Sequence, residues 1–316
     1  MHNNTVHKPV LFGEVIKYLD PQPGENFIDC TFGGGGHSKE ILERIREQGK
    51  LLGIDANPEV EKIVCQINEQ TNNDKRNKES GGELIFVNDN FRNIKKIYEQ
   101  FFPYPVNGIL CDLGLSSFEL EKEDRGFSFL RDAPLDMRFD FKANELTAKE
   151  ILNKFSIDKL ISVFRNFGEI PYPLAAKVSE RIVQQRKKKR FATTFDLVDV
   201  ILNGCSIARS KGGRMRRIHP ATLFFQALRI EVNRELDALI EFLPGAIEIL
   251  KPKGRLAIIS FHSLEDRIVK HYFREISKGD DATAKLLTKK PIMADVDEVR
   301  DNPRARSAKM RVIEKK

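Results

Sequence analysis

Short apolar runs alternate with amphipathic stretches along the first third of the chain. Phe27-Ile28-Asp29-Cys30 runs into a glycine cluster, and Leu51-Leu52-Gly53-Ile54 closes on Asp55. Leu84-Ile85-Phe86-Val87 follows, and then Gly108-Ile109-Leu110-Cys111 closes on Asp112. Runs this short, bounded by turn residues, predict strands. Between them Ile41, Leu42 and Ile45 share one helical face, and helices are predicted over 38–48, 58–68 and 94–102. Strands separated by single helices predict βαβ units and a mostly parallel sheet. The stretch 70–82 is rich in Asn, Lys and Glu without an apolar period, and predicts a surface loop.

Beyond Ser117 the period changes to 3.6. Ile157, Leu160, Ile161, Phe164 and Phe167 form one stripe behind Ser156 as N-cap. Leu174, Ala175, Val178 and Ile182 form a second, and Leu197, Val198, Ile201 and Leu202 a third behind Thr194. The βα character then returns, with one long helix over about 221–250 and a Lys-Pro-Lys-Gly turn. The strand Leu256–Ser260, a helix over 264–275 and an edge strand over 309–313 follow. The pattern predicts a discontinuous α/β domain, 1–117 and 214–316, interrupted by a helical insert over 118–213.

Composition narrows the class. The 316 residues are 41% hydrophobic and 31% charged, as in a globular protein with a real core. No run approaches the ~18 apolar residues that span a bilayer. The first residues lack a signal-peptide core or a transit pattern, so a cytoplasmic protein without membrane partners is expected. Cys30, Cys65, Cys111 and Cys205 are far apart, which predicts buried thiols rather than a metal site or a disulfide framework. The net charge of +7 is local. From Arg186 to Arg217 ten basic residues face only Asp196 and Asp199, so this segment carries +8 and the rest of the chain −1. A concentrated basic segment predicts a polyanionic partner.

The chemistry gathers where predicted strands end. Gly33-Gly34-Gly35-Gly36-His37 lies between the first strand and first helix, where backbone approaches a ligand and helix N–H groups are free. Asp55, at the end of the second strand, suits ribose hydroxyls. Ser38 stands where a dinucleotide fingerprint needs a third glycine, so S-adenosylmethionine (SAM) fits better than a nicotinamide cofactor. Asp112, Ser116 and Ser117 follow the fourth strand and face the expected cleft. Arg125, Phe127, Phe129 and Arg138 mix charge with aromatics, as in base stacking and phosphate contact, although anchoring of a loop explains the phenylalanines equally well. Arg216, Arg217 and His219 precede a helix whose Gln226, Arg229 and Asn233 read as a solvated face. His262 follows the last parallel strand. A Ser/His/Asp hydrolase is disfavoured because no Gly-x-Ser-x-Gly elbow occurs.

Taken in order, Thr31-Phe32-Gly33 with Gly35-Gly36-His37-Ser38, Asp112-Leu113-Gly114 with Ser116-Ser117, and Arg125-Gly126-Phe127-Ser128-Phe129 are followed by Pro134-Leu135-Asp136-Met137-Arg138. His219-Pro220-Ala221-Thr222 and Ser260-Phe261-His262-Ser263-Leu264-Glu265-Asp266 complete the set. Together they closely resemble the bacterial 16S rRNA cytosine-N4 methyltransferase family, over about residues 7–270. The resemblance implies a class I SAM-dependent, Rossmann-like fold with an inserted helical substrate-recognition domain. It implies a cytosine in the decoding region of 16S rRNA, within the small ribosomal subunit, as substrate. The SAM contacts it implies are Gly35, Gly36, His37, Asp55, Phe91 and Asp112. Glu119 stands where relatives carry a cofactor-contacting glutamine, so that role is not transferred.

Within that reading the proton leaving the cytosine N4 amine would go to Asp112, Ser116, Ser117 or Asp136. Lys187, Lys188, Lys189, Arg216, Arg217, His219 and His262 are the further candidates for RNA contact. The alternative is a non-catalytic RNA-binding or ribosome-assembly protein that keeps the fold, with a nicotinamide-dependent oxidoreductase a distant third. Whether the chain is a monomer or a homodimer stays open.

Overall fold

The structure is a computed structural model that describes residues 9–46, 48–73, 82–114, 125–204 and 219–316. Its strands are β1 (Asn26–Asp29), β2 (Lys50–Asp55), β3 (Glu83–Asn88), β4 (Val106–Asp112), β5 (Leu250–Ser260), β6 (Ala284–Leu286) and β7 (Lys309–Lys315). The helices are α1 (Phe12–Leu19), α2 (Gly36–Ile45), α3 (Val60–Asn73), α4 (Ile94–Phe101), α5 (Ala148–Lys154) and α6 (Ile157–Gly168). They continue as α7 (Tyr172–Lys188), α8 (Thr194–Gly204), α9 (Ala221–Asn233), α10 (Glu235–Ile249), α11 (Ser263–Ile276) and α12 (Val296–Asp301). The chain divides into two compact units, Met1–Ser117 with Leu236–Lys316, and Phe118–Glu235.

The first unit is built on a seven-stranded sheet of order β3-β2-β1-β4-β5-β7-β6. β1 to β5 run parallel, while β7 pairs antiparallel with β5 and β6 antiparallel with β7. The central strands are apolar on both faces because both are covered, and alternate residues serve opposite layers. Ile28, Leu52, Ile109 and Ile258 pack with Ile94 and Ile97 of α4, Phe242 and Leu243 of α10 and Phe273 of α11. Phe27, Leu51, Leu110 and Ile259 face the other way, toward Val15, Ile16 and Leu19 of α1 and Ile41 and Ile45 of α2. Strand order reverses between β1 and β4, and a crevice opens at the carboxyl ends of strands on either side of such a switch point.

The second unit is helical. Phe164 of α6 meets Phe224 of α9 edge-to-face at 4.9 Å, and α7 packs on both α6 and α8. This contact corrects the expected boundary at 213. The apolar face of α9, including Phe224, Phe225 and Leu228, is buried in the helical unit, which therefore extends to Glu235. The single helix expected over 221–250 is two. Arg234 takes left-handed backbone at φ 50° between α9 and α10, and residues 250–254 belong to β5 rather than to a free turn. Of the expected 70–82 loop, residues up to Asn73 continue α3, and 74–81 lie outside the described residues. No helix among the described residues is long and apolar enough to cross a membrane.

Candidate active site

In the first unit, the residues expected around a cofactor sit at the carboxyl ends of β1, β2 and β4. The turn after β1 is tight. Gly35 has φ 71°, a backbone region that favours glycine, and a Cβ there would lie 2.8 Å from Ile67 Cδ1, which would have to shift. α2 begins at Gly36, directly after this turn. From β2, Asp55 accepts the Gly33 N–H at its Oδ2 and the Asn57 N–H at its Oδ1, both at 2.8 Å. Its carboxylate thus fixes the shape of the glycine loop. Phe91 opens a 3-10 turn after β3, with its ring edge-to-face on Phe242 at 5.3 Å.

Asp112 ends β4. Its N–H donates to Thr31 Oγ1 at 2.7 Å, and Thr31 N–H in turn donates to Asp29 Oδ1 at 3.1 Å. Ser38 Oγ donates to the other Asp29 oxygen at 2.6 Å. Asp29, Thr31 and Ser38 therefore form a buried scaffold that aims Asp112. Asp112 Oδ1 is buried with no hydrogen-bond partner among the described residues, although the side chain as a whole is 24% exposed. Oδ2 lies 3.9 Å from His37 Nδ1. Burial raises the Asp112 carboxyl well above the usual carboxylate range, and the charges of Asp29 and Glu265 raise it further. Burial also lowers His37 to about 4, against the opposing effect of its 3.1 Å bond to the Val10 carbonyl. His37 is neutral at neutral pH. The carbonyl accepts only from Nε2–H, which leaves Nδ1 as an acceptor facing Asp112.

A buried acceptor without a donor, pressed by two other carboxylates, is matched by a cationic group on a ligand. S-adenosylmethionine carries an ammonium and a sulfonium, and the residues present fit it. The glycine turn would leave helix N–H groups for its carboxylate, and Asp112 and Asp55 would supply acceptors.

In the second unit the structure assigns several expected contact residues to internal support. Arg125 is 7% exposed, and its Nη1 donates to the carbonyls of Arg138 and Phe139 at 3.3 and 3.4 Å. Phe127 is 8% exposed and stacks on Phe139 at 5.6 Å. The two residues expected to meet RNA are thus both buried in this structure. Arg138 grips Asp136 through Nε and Nη2 at 2.8 and 2.7 Å. Burial pushes the Asp136 carboxyl up, but the bonds to Arg138 outweigh this and hold it below the usual range, making it a weak base. Phe129 and His219 remain accessible. Their rings stack at 4.9 Å, Phe225 meets Phe129 edge-on at 5.1 Å, and His219 Nδ1 accepts the Ala221 N–H at 3.2 Å.

The face expected to be solvated on α9 is engaged instead. Gln226 donates to the Phe167 carbonyl at 3.0 Å, and Arg229 forms a two-bond pair with Glu235. Asn233 donates to the Met137 carbonyl and accepts the Phe139 N–H. Lys187, Lys188 and Lys189 are exposed at the end of α7, with Lys189 paired to Asp196 at 2.7 Å. Back in the first unit, His262 is the N-cap of α11 in a reciprocal capping box with Glu265, and its Nε2 lies 3.1 Å from Glu265 Oε1. In the sequence Thr31 and Glu265 stand only within longer motifs, without a role of their own. The His262-x-x-Glu265 spacing was the available signal for the latter. Ser116, Ser117, Arg216 and Arg217 lie outside the described residues.

The strand order, the lone antiparallel β7, the glycine turn after β1 and the acids ending β2 and β4 define a class I SAM-dependent methyltransferase. The profile of the MraW methylase family matches residues 4–316, and the chain belongs to that family. The ribosomal RNA small subunit methyltransferase H of Dehalococcoides mccartyi is 42% identical, over 98% of this chain and 86% of that protein. Proteins of the same name from Thermomicrobium roseum and Clostridioides difficile are 40% and 38% identical. They cover 99% and 98% of this chain, and 94% and 98% of their own lengths. A solved rRNA methylase from Streptococcus thermophilus aligns over 98% of each chain at 10% identity and a TM-score of 0.42. The fold assignment rests on the strand order, not on that likeness.

Proposed function

We propose that this chain transfers the methyl group of SAM to the exocyclic N4 amine of a cytosine in the decoding region of small-subunit rRNA, in the cytoplasm. The observation that carries the reading is the unpartnered buried oxygen of Asp112 beside the glycine turn. It stands in a chain whose near-full-length relatives are named rRNA small subunit methyltransferases. SAM supplies an activated methyl when bound. The cytosine N4 lone pair is delocalised into the ring, so the protein's task is alignment together with an acceptor for the N4 proton.

Asp112 is that acceptor in this proposal. It is aimed by Thr31 through its N–H and held off from His37, whereas Asp136 is taken by Arg138. The glycine turn from Gly35 to His37, with Asp55 and Phe91, would hold the cofactor. The helical unit would meet the RNA through the Phe129–His219 stack and the lysines at the end of α7.

The test is tritiated-methyl transfer from SAM to small subunits from a strain lacking the gene, with mass spectrometry of the labelled nucleotide. Label on a cytosine N4 is expected. Label on protein or lipid, or SAM binding without transfer, would remove the reading; the latter outcome is that of the non-catalytic assembly protein.

A further inference from the structure

Leu130 is the anomaly of the helical unit. Its side chain is 83% exposed, whereas Phe127 and Ala133, the apolar residues at the two ends of its loop, are buried. Gly126 enters the loop at φ 70°, where a Cβ would lie 2.2 Å from the Pro134 carbonyl oxygen. The Leu130 N–H donates to Ser128 Oγ at 3.2 Å. Past the tip, Thr194 clamps the chain. Its Oγ1 donates to the Arg131 carbonyl at 2.8 Å and accepts the Ala133 N–H at 3.1 Å, and its own N–H donates to the Ala133 carbonyl at 2.8 Å. The Phe195 N–H donates to Asp132 Oδ1 at 3.1 Å. Phe127 and Phe129 are fixed by their stacks on Phe139 and His219. A backbone pinned on both sides of one residue cannot turn that residue inward, so water exposure of Leu130 is built into the loop.

Cations outnumber acids around that tip, where Asp132 is exposed on the loop and Asp196 pairs with Lys189. Residues 192–194 run beside 133–135 through the Leu135 N–H to Ala192 carbonyl bond at 3.1 Å, so the loop hangs next to the end of α7. Lys187, Lys188 and Arg190 are exposed there, with Arg131 on the loop itself. A single rigid apolar side chain projecting from a basic rim is how proteins enter a base stack, the cations holding phosphates while the apolar group replaces stacking.

We infer that Leu130 is a wedge that occupies the rRNA base stack in place of the target cytosine when that base is drawn out to be methylated. The inference rests on the RNA-methyltransferase reading. A base must leave its stack before its amine can reach a cofactor, and the vacated space is filled by water unless an apolar group follows. Leu130 is thus a positioning residue: it touches neither cofactor nor the reacting amine.

Single-turnover methylation of small subunits under saturating protein and SAM separates the possibilities. Leu130→Ala is expected to lower the single-turnover rate by about 10- to 100-fold, the scale of unstacking one base. Subunit affinity, SAM affinity and melting temperature stay near those of the unaltered protein. Leu130→Met and Leu130→Phe restore most of the rate. An unchanged rate for Leu130→Ala overturns the inference, as does a loss confined to subunit affinity, which would make Leu130 a docking contact. Failure of the unaltered protein to methylate subunits removes the functional reading and the wedge with it, and that arm alone identifies this outcome.

Discussion

Asp112 is a carboxyl group in an unusual place, with one oxygen buried and without a hydrogen-bond partner among the described residues. With its pKa raised in the free protein, Asp112 binds a proton more readily than an exposed aspartate. If a cationic cofactor group docks on Asp112, as proposed, it favours the carboxylate, so binding should expel that proton and affinity should increase with pH until Asp112 is ionised in the free protein. Calorimetry in buffers of different ionisation enthalpy should register proton release on SAM binding, and Asp112→Asn should abolish it. Because His37 titrates near 4, it contributes no charge to this dependence at neutral pH. Asp112→Ala is expected to reduce methyl transfer at least ~100-fold, the usual contribution of a general base. Full transfer by that variant would end its assignment. Gly35→Ala forces a side chain onto φ 71° backbone and into Ile67; it should weaken SAM binding and lower stability by at least ~1 kcal/mol in urea unfolding.

At the scale of elements, α9 and α11 are held by different physics. α9 is anchored by apolar packing, so Phe224→Ala removes a fully buried ring from the contact with α6. It should cost about 3–5 kcal/mol of stability by denaturant unfolding. α11 is tied to β7 through Asp266, which accepts from Arg311 Nε at 2.6 Å and pairs with Lys309 at 3.4 Å. Burial works to raise the Asp266 carboxyl, but these cations outweigh it and hold it below the usual range. A lowered native pKa means the stabilisation is present above the ordinary carboxylate range, near pH 4, and is lost as pH falls through the native value. Asp266→Asn should therefore flatten part of the acid limb of the stability curve and cost about 1–3 kcal/mol at neutral pH.

Over the whole molecule, the charge distribution assigns separate tasks to separate regions. The excess of basic residues lies at Arg186–Arg217, within the helical unit. Arg186 braces the helical unit, its Nη1 donating to the Leu152 and Phe155 carbonyls at 3.0 and 2.7 Å. Lys189 is paired with Asp196. Replacing Lys187, Lys188 and Lys189 together with alanine should weaken subunit methylation and shallow its salt dependence, with Lys187 and Lys188 contributing most, while SAM affinity holds. The check is the slope of binding against salt concentration for the triple variant and for Lys189→Ala alone. An equal loss of SAM affinity would make the segment structural.

The order of strands and helices, and the placing of Gly35, Asp55 and Asp112 at strand ends, were determined by the sequence itself. Period-2 and period-3.6 patterns and turn residues act within a few positions, and a strand end is a local event. The end of the insert was not legible, because the apolar stripe of α9 is the same whether it covers a sheet or packs on Phe164. Only the tertiary structure decided that. It also decided which polar residues are engaged by the rest of the protein. Arg125, Asp136 and His262 resemble contact residues in sequence, yet their partners are backbone carbonyls, Arg138 and a helix cap. The carboxyl of Asp112 differs from that of any other aspartate only through burial and the nearness of Asp29 and Glu265, brought there from β1 and α11. Charge, burial and partner are properties of what surrounds a side chain, and those surroundings come from residues far away along the chain.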